Sequence, residues 1–276
     1  MTNAETPRDN VSTCAITVTP ALLGRAIQRR TKILSPFPWN DGEIARRVRV
    51  AVQSYWTGRS GAATKQKATG IQDAGSRSEV TGGQHLNAFR DALCELITGA
   101  GFSADEVRFR SGVELPGFYR PAKKWDIVVA RKGRLCAAIE FKSQVGPSFG
   151  NNVNNRTEEA VGSSVDLWKA YERGVLGTHQ PWLGYFFFLE DAAGSTRPVK
   201  VAEKIVFPPD SVFAKTSYAD RYEILCRRMV LERNYTAACV LLSPRGTAGA
   251  YREREKELGF GHFARSLYGH LIGCTG

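Results

Sequence analysis

Asp126, Glu140 and Lys142 fall within one short stretch, KKWDIVVARKGRLCAAIEFKSQ, in the spacing D…E-x-K. Two carboxylates a few ångström apart repel each other, so such a pair favours a divalent cation. Oxygen ligands in a small cavity suit Mg²⁺. A nearby lysine can hold an attacking water and offset charge on a phosphate. Together these groups are the equipment for metal-assisted phosphodiester hydrolysis. The bare spacing also occurs on surface hairpins whose charges are merely solvated.

A hairpin must position them. Trp125 to Val129 reads as a strand, Arg131-Lys132-Gly133 as a tight turn and Leu135 to Phe141 as the returning strand. Alternation puts Cys136, Ala138, Glu140 and Lys142 on one face. Leu135, Ala137, Ile139 and Phe141 then face a core. With a three-residue loop, Ala130 opposes Arg134 and Asp126 opposes Ala138, which leaves Asp126 diagonal to Glu140. A two-residue loop would turn Asp126 to the wrong face, so the site depends on register.

Around the hairpin the chain alternates helices and strands. Pro20 to Thr31 reads as a helix carrying Arg25, Arg29 and Arg30, after a tail over 1–13. Asp41 caps a helix to about Trp56, with Ile44, Val48, Ala51, Val52 and Tyr55 as its apolar stripe. Residues 57–83 have few large apolar side chains and read as a mobile loop, suited to clamping a polyanion. Gln84 to Thr98 reads as a helix closed by Gly99 and Gly101. Val107 to Val113 reads as a short strand. After the hairpin, a helix capped by Asn155 or Thr157 runs to Gly174. Trp182 to Glu190 and Ala237 to Leu242 read as buried strands, with a Ser217-capped helix between them. Phe260 to Ile272 reads as a last helix. This order predicts an α/β fold, a mixed β-sheet flanked by helices, as a single domain over 1–276.

Just beyond Lys142 comes Ser143-Gln144, a Gly/Pro-interrupted loop and the run NNVNNR. Asn and Gln suit adenine and Arg suits guanine in the major groove. Gln144, Asn151, Asn152, Asn154, Asn155 and Arg156 are therefore candidate DNA contacts, with Ser143 beside them. Asn is also a turn former, but the run is unusually dense for a mere turn, which favours DNA contact. Lys123 and Lys124, beside Asp126, suit phosphate contact.

Three segments, LPGFYRPAKKWDIVVA, AAIEFKSQVGPSFGNNVNNRTEEAVGSSVDLWKAY and PWLGYFFFLED, together resemble the XhoI-type restriction endonucleases of the PD-(D/E)xK superfamily. The resemblance runs from about Ser54 to at least Pro244. It implies a restriction-endonuclease-like core and site-specific cleavage of double-stranded DNA at the palindrome CTCGAG. It implies that Asp126 and Glu140 bind Mg²⁺, with the main-chain carbonyl of Phe141 as a further ligand and Lys142 as the catalytic lysine. Trp125 stands where the superfamily often has proline. In related nucleases a preceding helix often adds an acid, for which Glu79, Asp91 and Glu95 are candidates. A palindromic target implies a homodimer.

Composition agrees. The 276 residues carry a formal net charge of +11, which suits a polyanionic partner. The six cysteines form no C-x-x-C pair and the four histidines show no metal-ligand spacing. Scattered thiols, a polar N-terminus and the lack of a long apolar run predict a cytoplasmic protein without a membrane span. Two other readings fit the residues less well: a nuclease acting on DNA structure rather than sequence, and a non-catalytic DNA-binding protein on the same fold.

Overall fold

A computed structural model of the chain describes residues 36–69, 85–201, 206–246 and 248–275. Contacts gather Ser35–Gly276 into one compact unit. Its elements in order are α1 (Asp41–Thr69), α2 (Asn87–Gly99), β1 (Val107–Arg108), β2 (Glu114–Pro116), β3 (Ala122–Lys124), β4 (Ile127–Arg131) and β5 (Arg134–Gln144). Then follow α3 (Gly150–Glu172), β6 (Trp182–Glu190), α4 (Ala193–Thr196), α5 (Tyr218–Leu231), β7 (Ala237–Ser243) and α6 (Phe260–Cys274).

The sequence WLGYFFFLE offers no polar face, so β6 needs cover on both sides. It has that cover. The main sheet runs β1-β4-β5-β6-β7. β1, β4 and β5 pair antiparallel, whereas β5, β6 and β7 pair parallel. Trp182, Phe186 and Phe188 pack with residues of α1, α2 and α6. Leu183, Tyr185, Phe187 and Leu189 pack on the other face with residues of α3 and α5. The result is a mixed sheet between two helical layers, as the element order predicts, and it is consistent with the restriction-endonuclease-like core that the resemblance implies. Gly184 is required at its position, because a Cβ there would lie 2.3 Å from the Trp182 ring.

Most element borders follow local signals. Ser217 accepts from the Asp220 N–H while the Asp220 carboxylate accepts from the Ser217 N–H, a capping box that starts α5. Three borders differ from the sequence expectation. α1 continues past Trp56 to Thr69, so the first part of the expected 57–83 loop is helical. Ala, Gln, Lys and Arg there favour helix by intrinsic propensity. α3 begins at Gly150, ahead of the expected caps Asn155 and Thr157. The Asn-rich run thus forms its first turns, where main-chain N–H groups lack helical partners and Asn is tolerated. The segment expected as one strand over Val107–Val113 is instead β1 followed by an irregular stretch. β2 and β3 make a separate two-stranded sheet. The tail 1–13, the helix over 20–31, residues 70–83 and Glu79 lie outside the described residues. Among the described cysteines, Cys136, Cys226, Cys239 and Cys274 are buried free thiols and Cys94 is half-buried.

Candidate active site

The catalytic register rests on two local features of the β4–β5 hairpin. The turn is two residues long: Arg131 pairs with Arg134, and Lys132 and Gly133 take φ values of 50° and 74°. Gly133 adopts that left-handed conformation freely. A two-residue turn alone would send Asp126 to the wrong face. A bulge reverses this, because the register slips between Val129 and Ala130. Leu135 faces the α3/α5 layer, while Cys136 and Ala137 both pack toward α1, α2 and α6. Cys136 is the extra residue that resets the alternation. The three-residue loop and the pairing of Asp126 with Ala138 are therefore corrected. So is the face assigned to Cys136 and Leu135. Two departures from regular geometry cancel, and Asp126 still shares a face with Glu140 and Lys142.

Contacts fix each group. The Asp126 main-chain N–H donates to the Ile139 carbonyl at 3.0 Å. The Phe141 N–H donates to Asp126 Oδ2 at 2.7 Å. N–H and C=O of one strand residue point to the same side. The Phe141 carbonyl therefore leaves β5 beside Asp126, past the start of β4. Glu140 Oε1 lies 2.7 Å from Lys142 Nζ, and Oε2 lies 2.5 Å from Lys123 Nζ. Glu140 is buried, so both oxygens of a desolvated carboxylate are matched by ammonium groups.

Charge is unequally placed between the two acids. Burial, and then the Glu140 charge, push the Asp126 carboxyl up to about 6. Burial also works to raise Glu140, but Lys142 and Lys123 outweigh it and hold that carboxyl below its ordinary range. Burial acts to lower the Lys142 ammonium, and Glu140 more than reverses this, so it stays charged. Among the described residues no three His, Cys, Asp or Glu side chains make a closed metal cage. Two carboxylates and a main-chain carbonyl, all hard oxygens, fit Mg²⁺, which keeps part of its water shell.

A cleft of about 280 Å³ opens at this point, lined by Arg120, Lys123, Lys124, Glu140, Lys142, Glu158, Glu159, Gly162 and Ser163. Lys123, expected on the DNA backbone, donates instead to Glu140 inside the cleft. Its ammonium also lies 4.1 Å over the Trp125 ring. Lys124 is exposed at the rim.

The polar residues beyond Lys142 do not act as one group. Gln144 is buried. Its Nε2 donates to the carbonyls of Phe149 at 2.6 Å and Ser148 at 3.1 Å, and its Oε1 accepts from the Tyr222 hydroxyl. It ties β5 to the start of α3, so its amide is engaged inside the protein rather than presented to a DNA partner. Ser143 follows the alternation of β5 to the other face, next to Tyr55. Asn154 and Asn155 are exposed on α3, and Asn152 is half-buried. Arg156 donates to Glu159 at 2.7 Å. Of Asn151 only the main-chain position in α3 is described. Asn154 lines a larger, mainly apolar cavity of about 500 Å³ between α3 and α5, which meets the cleft at Glu158.

The acids considered on α2 are elsewhere. Glu95 is held by Arg47 and Asp91 by Arg90, and α2 covers the opposite face of the sheet. The acid that does approach is Glu159 on α3, 3.6 Å from Lys142. Nothing in the sequence spacing marks it. With α3 starting at Gly150, it lies on the third turn, over the cleft. Arg120 was also missed, since β2 and β3 are too short to be read from alternation.

The family model described as Restriction endonuclease XhoI matches residues 65–253. The type II restriction enzyme BstVI of Geobacillus stearothermophilus is 45% identical over 210 residues, spanning 72% of this chain and 92% of that protein. The type II restriction enzyme XhoI of Xanthomonas vasicola is 39% identical over 193 residues, 69% of this chain and 77% of that protein. The type II restriction enzyme AbrI of Azospirillum brasilense is 42% identical over 157 residues, 56% of this chain and 70% of that protein. No solved structure matches the chain. The matched span contains the whole carboxylate–lysine cluster, and the chain belongs to the XhoI restriction endonuclease family.

Proposed function

We propose that this type II restriction endonuclease hydrolyses both strands of duplex DNA at the palindrome CTCGAG, with Mg²⁺ as cofactor and as a homodimer. One observation carries the chemistry: Asp126, Glu140 and Lys142 share one face at one end of the sheet. Asp126 is anchored by the Phe141 N–H and Glu140 by two lysines. The match to a relative named XhoI supports the target.

Asp126, Glu140 and the Phe141 carbonyl would hold Mg²⁺. A bound Mg²⁺ supplies Lewis-acid stabilisation of charge on the phosphate and on the leaving 3′ oxygen. Lys142 stays charged and donates hydrogen bonds toward the attacking water and the scissile phosphate. Lys124 and Arg120 at the cleft rim attract and seat the phosphate backbone. Asn155 and Arg156 on α3 are the groups best placed to approach base edges beside the cleft. Two-fold symmetry of a palindrome then assigns one half-site to each subunit.

The test is plasmid cleavage with Mg²⁺, with fragment ends mapped, in wild type and Glu140→Gln. Discrete ends at CTCGAG in wild type are expected, with no cutting and retained site-specific binding in E140Q. Cutting by E140Q at the wild-type rate would remove Glu140 from the mechanism. Discrete ends at another sequence would keep the chemistry and replace the target.

A further inference from the structure

We infer that the β2–β3 hairpin is a second DNA-contacting element, whose tip residues Phe118 and Tyr119 stack against nucleotides beside the scissile phosphate. This rests on the reading of the protein as a DNA nuclease and adds to it an aromatic contact outside the metal–lysine cluster and α3.

The tip is built rather than loose. Asp166 of α3 has a side chain only 4% exposed. Its Oδ1 accepts from the main-chain N–H groups of Phe118 and Tyr119 at 2.8 and 2.7 Å. Its Oδ2 accepts from Arg120 Nε at 2.7 Å. A carboxylate so desolvated requires all these donors. Gly117 lets the chain pass close by, since a Cβ there would lie 2.4 Å from Asp166 Oδ2 and 2.8 Å from the Arg120 carbonyl. One buried acid thus fixes three consecutive residues.

What the clamp presents is apolar and outward. Phe118 is 44% exposed and Tyr119 68% exposed. Their rings sit edge to face at 4.8 Å, which leaves Tyr119 a free ring face. Water is a poor partner for two fixed, exposed aromatic rings. The surroundings select the partner. Arg120, Lys123 and Lys124 of the same hairpin line the catalytic cleft, and the Arg173 guanidinium lies 5.5 Å from the Phe118 ring. This cationic rim draws a nucleic acid toward the tip. Every base has a π-face, so aromatic stacking needs no particular sequence. Rigid aromatic side chains are also the groups that wedge between base steps.

The experiment compares wild type, Tyr119→Ala, Phe118→Ala/Tyr119→Ala, Tyr119→Trp and Lys124→Ala. Binding to a DNA fragment that wild type cuts is measured across a salt series with Ca²⁺ replacing Mg²⁺, and cleavage is measured with Mg²⁺. Y119A is expected to bind about tenfold more weakly at every salt concentration, as for one lost base–aromatic stack. Its slope of log affinity against log salt should equal that of wild type. Y119W should restore binding. K124A should instead flatten the slope by about one phosphate contact. Unchanged binding and cleavage in both aromatic variants, with wild type active, would overturn the inference. So would loss of binding accompanied by dissociation to monomers in sedimentation, which would make the tip a subunit contact. A wild type that neither binds nor cuts DNA would instead overturn the nuclease reading beneath it. Both tip side chains are exposed, so unchanged melting temperatures are expected, and Y119W controls for fold.

Discussion

Lys123 Nζ lies 2.5 Å from Glu140 Oε2, on the oxygen opposite the one that meets Lys142. An ammonium therefore stands against the carboxylate that would bind Mg²⁺, and proton-bearing nitrogen and metal compete for the same lone pairs. Lys123→Ala should tighten divalent-metal binding by the DNA-free protein, by roughly tenfold, the worth of one charge-assisted hydrogen bond. Calorimetric titration with Mg²⁺ or Ca²⁺ measures it. Weaker metal binding in K123A would show that Lys123 supports the site rather than occupying it.

Asp126 carries the site's latent cost in stability. Its folded carboxyl is pushed up to about 6 from an ordinary value of 3.8 by burial and by Glu140. A raised folded value means that Asp126 contributes its full stability below about pH 3.8 and loses it as pH rises through about 6. Asp126→Asn removes the charge and can keep the Phe141 N–H bond through its amide oxygen. In EDTA at pH 8 the variant should melt higher than wild type, by up to about 3 kcal/mol for a shift of this size. The gap should close near pH 4, and Mg²⁺ should narrow it at pH 8 by stabilising wild type alone. Cleavage should be lost throughout. A D126N protein less stable than wild type at pH 8 would contradict this account.

How much of this was legible depended on whether the deciding contact was local. β6, β7 and the Ser217 cap could be read because hydrophobic runs and capping boxes sit within a few residues. The clustering of Asp126, Glu140 and Lys142 was legible too, yet for a reason only partly right. Its expected three-residue turn is a two-residue turn plus a bulge at Cys136, and nothing about a cysteine in an apolar run marks a bulge. The buried role of Gln144 was not legible because its partner Tyr222 lies 78 residues away. Residue type alone cannot tell a base-reading amide from a buried tie. The β2–β3 hairpin escaped for a similar reason, since Asp166, which holds its tip, is distant in sequence.

Gln144→Ala tests that reassignment. The change takes away the side-chain partner of the Phe149 carbonyl and of the Tyr222 hydroxyl in a buried setting. Each stranded group costs about 1 to 3 kcal/mol. The variant should lose about 2 to 4 kcal/mol in denaturant unfolding, with water entry limiting the sum. Its cleavage pattern at permissive temperature should keep the same recognition sequence. A relaxed sequence preference with unchanged stability would return Gln144 to the DNA interface.

α3 makes the sharpest division among the asparagines. Glu159 reaches Lys142 at the cleft, and Asn155 lies one turn earlier on the same helical face. Asn154 instead points with Thr157 and Val161 into the cavity shared with α5. Both are exposed and adjacent in sequence, so composition and propensity cannot separate them; only the helical phase does. If α3 presents its cleft side to the major groove, Asn155→Ala should weaken discrimination against single-base variants of the target by about 1 to 3 kcal/mol, the range for one amide–adenine pair. Asn154→Ala should leave both discrimination and affinity at wild-type levels. Competition binding with singly substituted duplexes in Ca²⁺ resolves the two. Equal effects from both variants would mean that α3 meets DNA end-on through its N-terminus, where main-chain N–H groups face phosphate without reading sequence.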